Sequence, residues 1–177
     1  MTVRLEGVPV IETERLRLRA PRAGDFAACA DFMASDRALH IGGPLERPLA
    51  WRAFCHLTGH WVLRGYSMFV FADRATDAPL GMAGPWYPEG WPEPEIGWSI
   101  WPAAAEGKGL AREAASAALQ FAYRSLGWTT AISLIADANS RSQALARRMG
   151  CLPEGLFTFP TGSTARIWRH PGPGGQA

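Results

Sequence analysis

The chain has 177 residues, 47% hydrophobic and 19% charged, which suits one domain with a hydrophobic core and excludes a disordered chain. Its formal net charge is only +2, and the basic residues are spread along the chain, which argues against a nucleic-acid-binding surface. Uncharged stretches such as Ser125 to Ala136 fall short of the ~20 residues a membrane helix needs, and no signal-like pattern opens the chain, so a soluble, cytoplasmic protein is expected.

In chain order, the alternation Leu16-Arg17-Leu18-Arg19 predicts a first strand. After the break at Pro21 to Gly24, Phe26, Cys29, Ala30 and Met33 share one helical face. Gly42-Gly43-Pro44 breaks the chain again, and a less regular helix follows over roughly Leu49 to Leu63, with Trp51, Cys55 and Trp61 expected inward. Tyr66 to Ala72 and Leu80 to Tyr87 predict an antiparallel hairpin, and Glu95 to Trp101 a further strand. An alanine-rich helix then runs to about Arg124, stopped by Gly127. Thr129 to Ala136 predicts a strand, Ser140 to Met149 a short helix, and Leu156 to Phe159 and Ala165 to Arg169 the last two strands. The tail from His170 to Ala177 is rich in Pro and Gly and reads as a frayed end. The expected architecture is α/β (α+β): a mixed, mostly antiparallel sheet of about seven strands flanked by about four helices. It forms one domain over residues 1–170, with a flexible tail over 171–177.

The sharpest local feature is the passage from strand to helix through Gly107-Lys108-Gly109. The first amides of a helix lack intrahelical acceptors and sit at the positive end of its dipole, and glycines let backbone approach a ligand closely. Such a loop suits a phosphate or pyrophosphate. Lys108 is the chain's only lysine among 18 basic residues. A nucleoside-triphosphate loop would require Ser or Thr after the lysine, where Gly109 stands, and a dinucleotide fingerprint would require a small residue at Arg112. The plain alternative is a glycine-rich connection that binds nothing.

Glu95-Ile96-Gly97-Trp98-Ser99-Ile100-Trp101-Pro102, followed by Gly107-Lys108-Gly109-Leu110-Ala111-Arg112-Glu113-Ala114, resembles the acetyl-coenzyme A signature of the GNAT superfamily of N-acetyltransferases. The likeness is greatest to the RimJ/RimL-like branch, which acetylates ribosomal-protein and peptide N-termini. Asp137-Ala138-Asn139-Ser140-Arg141-Ser142, with the helix ending at Gly150, resembles that branch's second motif, and Ile11 to Arg19 its opening strand. Two positions depart from the pattern: Ala104 stands where Gln or Arg is common, and Cys151 replaces an aromatic.

The resemblance implies acetyl-coenzyme A as co-substrate, with no metal. Its pyrophosphate would lie over the amides of Glu106, Gly107, Lys108, Gly109, Leu110 and Ala111. Its pantetheine would run along the strand that includes Ile100 and Trp101, Asn139 would contact it, and Arg112 is a partner for the 3′-phosphate. Direct attack of an amine on the thioester is implied, with Ser142 donating to the departing sulfur and Glu95 accepting the amine proton. Against these stand a helix-start serine that satisfies backbone and an ordinary strand-end carboxylate. His40, Trp86, Trp91 and Trp98 are expected to touch the acceptor, a small-molecule amine or a peptide N-terminus. Trp98 and Trp101 alternate poorly and are expected to face opposite sides of their strand. His56 and His60 are four apart but have no third ligand, and the three scattered cysteines contain no CxxC pair, so no metal site or disulfide framework is expected. No membrane or nucleic-acid partner is expected, and the protein would be a monomer or homodimer. The alternative is a non-catalytic coenzyme A-binding or sensing module on the same fold.

Overall fold

The computed structural model describes residues 5–174. Eight strands form one sheet: β1 (Ile11–Glu12), β2 (Leu16–Arg19), β3 (Phe69–Asp73), β4 (Pro79–Trp86), β5 (Glu95–Ile100), β6 (Ile132–Ile135), β7 (Leu152–Thr158) and β8 (Thr164–Arg169). Their spatial order is β1-β2-β3-β4-β5-β6-β8-β7. Every neighbouring pair is antiparallel except β5 and β6. Four α-helices accompany the sheet: α1 (Phe26–Met33), α2 (Arg47–Arg64), α3 (Leu110–Ser125) and α4 (Ser140–Arg148).

The strand beyond the expected seven is β1. Thr13 makes the turn that creates it, its main-chain amide donating to the Leu16 carbonyl at 2.9 Å and its hydroxyl accepting from the Leu16 amide at 3.0 Å. Glu12 then stands opposite Arg17 in the ladder and pairs with it at 2.9 Å. β7 begins four residues before its predicted start because it is an exposed edge strand, where Pro153 costs no ladder bond.

Side-chain alternation sorts the core into two layers. Val70 and Met82 pack with Cys29, Ala30, Ala50 and Phe54 beneath α1 and α2. Leu16, Leu18, Phe69 and Phe71 pack against Leu110, Ala114 and Ala118 of α3. A third cluster joins Ala111, Ala115, Leu119 and Ala122 of α3 to Leu145 and Ala146 of α4, with Ile96, Ile135 and Trp168 from the strands. α3 thus carries two adjacent stripes of mostly alanine, each packed against a different part of the sheet.

Two sequence expectations are corrected. In α2 the buried stripe is Ala50, Phe54, His60 and Trp61, while Trp51 and Cys55 are exposed. Trp51 lies outside the core against the rings of Phe26 and Phe54, so its bulk is met by neighbours at the rim. His170, read as the start of a frayed tail, is 2% exposed, and the next carbonyl, that of Pro171, accepts the Tyr123 hydroxyl at 2.6 Å. Residues 175–177 of the expected tail lie outside the described residues.

Candidate active site

The sheet comes apart in its middle. β5 and β6 share one bridge pair, Glu95 with Ile132, and beyond it the strands no longer pair. The Ile132 amide donates to the Pro94 carbonyl at 3.0 Å, closing the ladder at its near end. Beyond that point the Trp98 amide and the Leu134 carbonyl have no strand partner, whereas the Ile96 carbonyl and the Leu134 amide are met by the side chains of Ser133 and Glu95.

At the far end of β5 the chain passes through a 3₁₀ turn, Ala103–Ala105, into the glycine loop. Gly107 and Gly109 have φ of +73° and +77°, left-handed backbone that a side chain would strain. The loop is held from several directions. Glu113, in the first turn of α3, accepts from the Thr13 hydroxyl at 2.6 Å, the Arg15 amide at 2.9 Å and Arg15 Nε at 2.7 Å. Arg15 Nη1 donates to the Lys108 carbonyl at 2.8 Å, which satisfies that peptide's oxygen. The first amides of α3 have no intrahelical acceptor and open onto the loop. A carbon added at Gly107 would meet no atom within 4 Å, so that approach is clear.

Glu106, Ile100 and Trp101 are tied together by a residue that sequence reading passed over. Arg37, in the 3₁₀ turn Asp36–Ile41, donates to the Ile100 carbonyl at 2.8 Å, the Trp101 carbonyl at 2.6 Å and the Glu106 carboxylate at 2.7 Å. Arg141 of α4 takes the other Glu106 oxygen at 2.6 Å. The Glu106 amide donates to the Ala103 carbonyl, so its side chain, bridging both walls, is its evident contribution. Leu110 and Ala111 bury their side chains in the core, whereas Lys108 and Arg112 are exposed. An open cavity of about 780 Å³ borders the loop, lined by Arg15, Arg74, Ala104 and Lys108 among others.

Glu95 lies at the near end of the gap, 9% exposed. Burial pushes its carboxyl up to about 7, against the opposing pull of two donors. These are Trp91 Nε1 at 2.5 Å and the Leu134 amide at 3.1 Å. Trp86 is the ladder partner of Glu95 on β4 and packs on His60 and His56, with ring centroids at 4.6 and 5.1 Å. Trp91 meets Phe159 at 5.3 Å. Trp91 is thus the indole that touches the carboxyl, while Trp86 neighbours it across the ladder.

Asn139 caps α4, its side-chain oxygen accepting the Ser142 amide at 3.1 Å. Trp98 Nε1 donates to Ser142 Oγ at 3.2 Å. With one lone pair engaged by the indole, the Ser142 hydroxyl keeps its own proton to offer. Trp98 therefore meets α4, while Trp101 is buried in the α1–α2 layer, so the two do face opposite sides. His40 is exposed in its 3₁₀ turn. His60 Nδ1 is engaged by the Tyr66 carbonyl at 2.9 Å, and the His56 and His60 rings are 6.5 Å apart. No group of three His, Cys, Asp or Glu among the described residues is arranged to hold a metal.

A mixed sheet parted at its one parallel pair, with a glycine loop and helix N-terminus at the mouth, is the architecture of an acyl-coenzyme A-dependent transferase. Residues 15–152 match the model of the acetyltransferase (GNAT) domain, and the chain belongs to this family. An acetyltransferase from Agrobacterium tumefaciens str. C58 is 32% identical, with 97% of this chain and 99% of that one covered and a TM-score of 0.85. A GNAT-family acetyltransferase from Bacillus anthracis shares the fold at 20% identity, covering 93% and 98% of the two chains with a TM-score of 0.76. RimL, the ribosomal L7/L12 α-N-protein acetyltransferase, does so at 17% identity, covering 92% and 93%, with a TM-score of 0.71.

Proposed function

We propose that the protein transfers an acetyl group from acetyl-coenzyme A to a primary amine by direct attack within a ternary complex. The single observation that carries this reading is the β5–β6 gap, where the strands stop pairing after one bridge and β5 leads on to the glycine loop. Acetyl-coenzyme A supplies an activated acyl carbon. The amides from Gly107 to Ala111 would hold its pyrophosphate, with Lys108 adding charge, Arg112 facing the 3′-phosphate and the Asn139 side-chain NH2 reaching the pantetheine. The edge of β5 up to Ile100 would pair with the pantetheine amides.

On this reading the chain's residues divide the proton work. Glu95, with a carboxyl near neutrality, takes the amine proton as the new C–N bond forms. Ser142 donates its hydrogen bond to the sulfur as the C–S bond breaks, and the net proton passes from nitrogen to sulfur. Trp98 aims that hydroxyl by holding its oxygen. Much of the acceleration comes from placing the two reactants together. Trp86 and Trp91 flank the nitrogen, and their faces suit a cationic or aromatic amine. RimL's name records a protein α-amine as its acceptor; a peptide N-terminus or a small amine fits the class proposed here.

The test is thiol release from acetyl-coenzyme A with a panel of peptide and small-molecule amines. Turnover on at least one acceptor is expected, whereas coenzyme A binding with no turnover on any would favour a sensing module. Ser142→Ala should lower kcat about tenfold or more and leave coenzyme A affinity within about twofold. A large loss of affinity with normal turnover would remove Ser142 from this role.

A further inference from the structure

We propose that Ser133, locked by His170, is a positioning residue that keeps the β5–β6 seam open for the acyl donor. With Glu95 bridged to Ile132, continued parallel pairing would send the Leu134 amide to the Ile96 carbonyl and then the Trp98 amide to the Leu134 carbonyl. Neither half of the first bond is available. The Leu134 amide donates to Glu95 Oε1 at 3.1 Å, and the Ile96 carbonyl accepts the Ser133 hydroxyl at 2.6 Å. Two side chains have taken the places of two main-chain partners. The strands separate although β5 keeps an unbroken register with β4, so no bulge accounts for the parting.

The direction of each bond around Ser133 follows from the first. Having donated to Ile96, the hydroxyl accepts from His170 Nε2–H at 2.9 Å. His170 Nδ1 is then bare and accepts the Cys151 thiol at 3.2 Å. Cys151, His170 and Ser133 are 4%, 2% and 2% exposed, so water offers the hydroxyl no competing partner. Burial holds the imidazole neutral, down to about 4, and the thiol protonated, up to about 12, as the chain of donors requires. A serine bonded to a carbonyl alone can swing to another rotamer; one that also accepts from a fixed imidazole is confined.

This inference rests on the proposed placement of the acyl donor in the seam, so its test reads the seam with and without ligand. Coenzyme A affinity by calorimetry, KM for acetyl-coenzyme A, kcat and exchange of the Trp98 main-chain amide in ligand-free protein are measured for wild type, Ser133→Ala and Ser133→Thr. In Ser133→Ala the freed Ile96 carbonyl competes with Glu95 Oε1 for the Leu134 amide and should draw the strands together. Coenzyme A affinity should fall, and KM rise, about tenfold, with kcat at saturation within twofold. The Trp98 amide should exchange at least tenfold more slowly. Threonine, which keeps the hydroxyl, should restore these readouts. Should Ser133→Ala fail to fold, His170→Phe, which removes the donor to Ser133 together with the acceptor of the Cys151 thiol, should shift affinity and exchange in the same direction by threefold or more. Wild-type affinity or unchanged Trp98 exchange in the folded variant overturns the proposal. Wild-type protein that does not bind coenzyme A would instead sink the acyl-transfer reading, while Trp98 exchange would still decide whether Ser133 holds the seam.

Discussion

Glu95 is pulled two ways, and the balance sets the pH at which it can act. Burial raises its pKa to about 7, and the Trp91 indole and Leu134 amide lower it from where burial alone would place it. The rate on an amine acceptor should therefore climb through an acid limb near pH 7. Trp91→Phe removes one of the stabilising donors, so the limb should move to higher pH; a pH profile of kcat/KM measures the shift. Glu95→Gln should lower kcat about a hundredfold or more and erase the limb, while its carbonyl can still accept from Leu134 and hold the seam. The carboxylate was legible as a strand-start residue in a recognisable motif. Its contact with Leu134 was not, because that depends on the register of a strand almost forty residues further along.

Among the elements, the glycine loop was the most readable, since two glycines around a lysine at a strand–helix junction have few other uses. Gly107→Val tests it. The added carbon meets no protein atom, but at φ +73° a β-branched residue is strained by about 1–2 kcal/mol and would stand over the amides. The variant should fold and lose at least tenfold in coenzyme A affinity by calorimetry; wild-type affinity would remove the loop from the donor site. Arg37 was illegible for the opposite reason. An arginine in a short 3₁₀ turn carries no pattern, and its role appears only when folding brings it to the Ile100 and Trp101 carbonyls more than sixty residues away. Trp51 and Cys55 misled because a hydrophobic tally places large apolar groups inward, whereas α2 turns its smaller Ala50 and its Phe54 to the core.

For the whole molecule, two buried groups pull pH stability in opposite directions. Glu95 has a folded pKa above its usual 4.5, so its contribution is complete below that value and lost as pH rises through about 7. His170 has a folded pKa below its usual 6.5, so its contribution is present above 6.5 and lost as pH falls toward about 4. Between pH 4.5 and 6.5 the two largely offset each other. Glu95→Gln removes one of them, so its stability relative to wild type should increase by on the order of 3 kcal/mol from pH 4.5 to 7. Denaturant titrations at three pH values across that range measure it, and a difference that does not change with pH would contradict the buried titration. The strand order and the single parallel pair depend on which distant strands meet, but the mixed sheet and its flanking helices follow from alternation and helix placement that the sequence displays. The role of His170 does not, because a histidine beside a Pro/Gly tail looks the same whether it is frayed or enclosed.

α3 lies across both halves of the parted sheet, with Ala114 and Ala118 toward one and Ala111, Ala115 and Ala122 toward the other. The molecule is in effect a pair of leaves bound along a spine of methyl groups, and the hinge line between them is crossed by one ladder pair. Beyond that pair the crease is spanned by side-chain bonds, Ser133 to the Ile96 carbonyl and the Leu134 amide to Glu95. A molecule lodged there, bonded to each leaf, would act as a clasp and lend the fold rigidity that its own strands leave out.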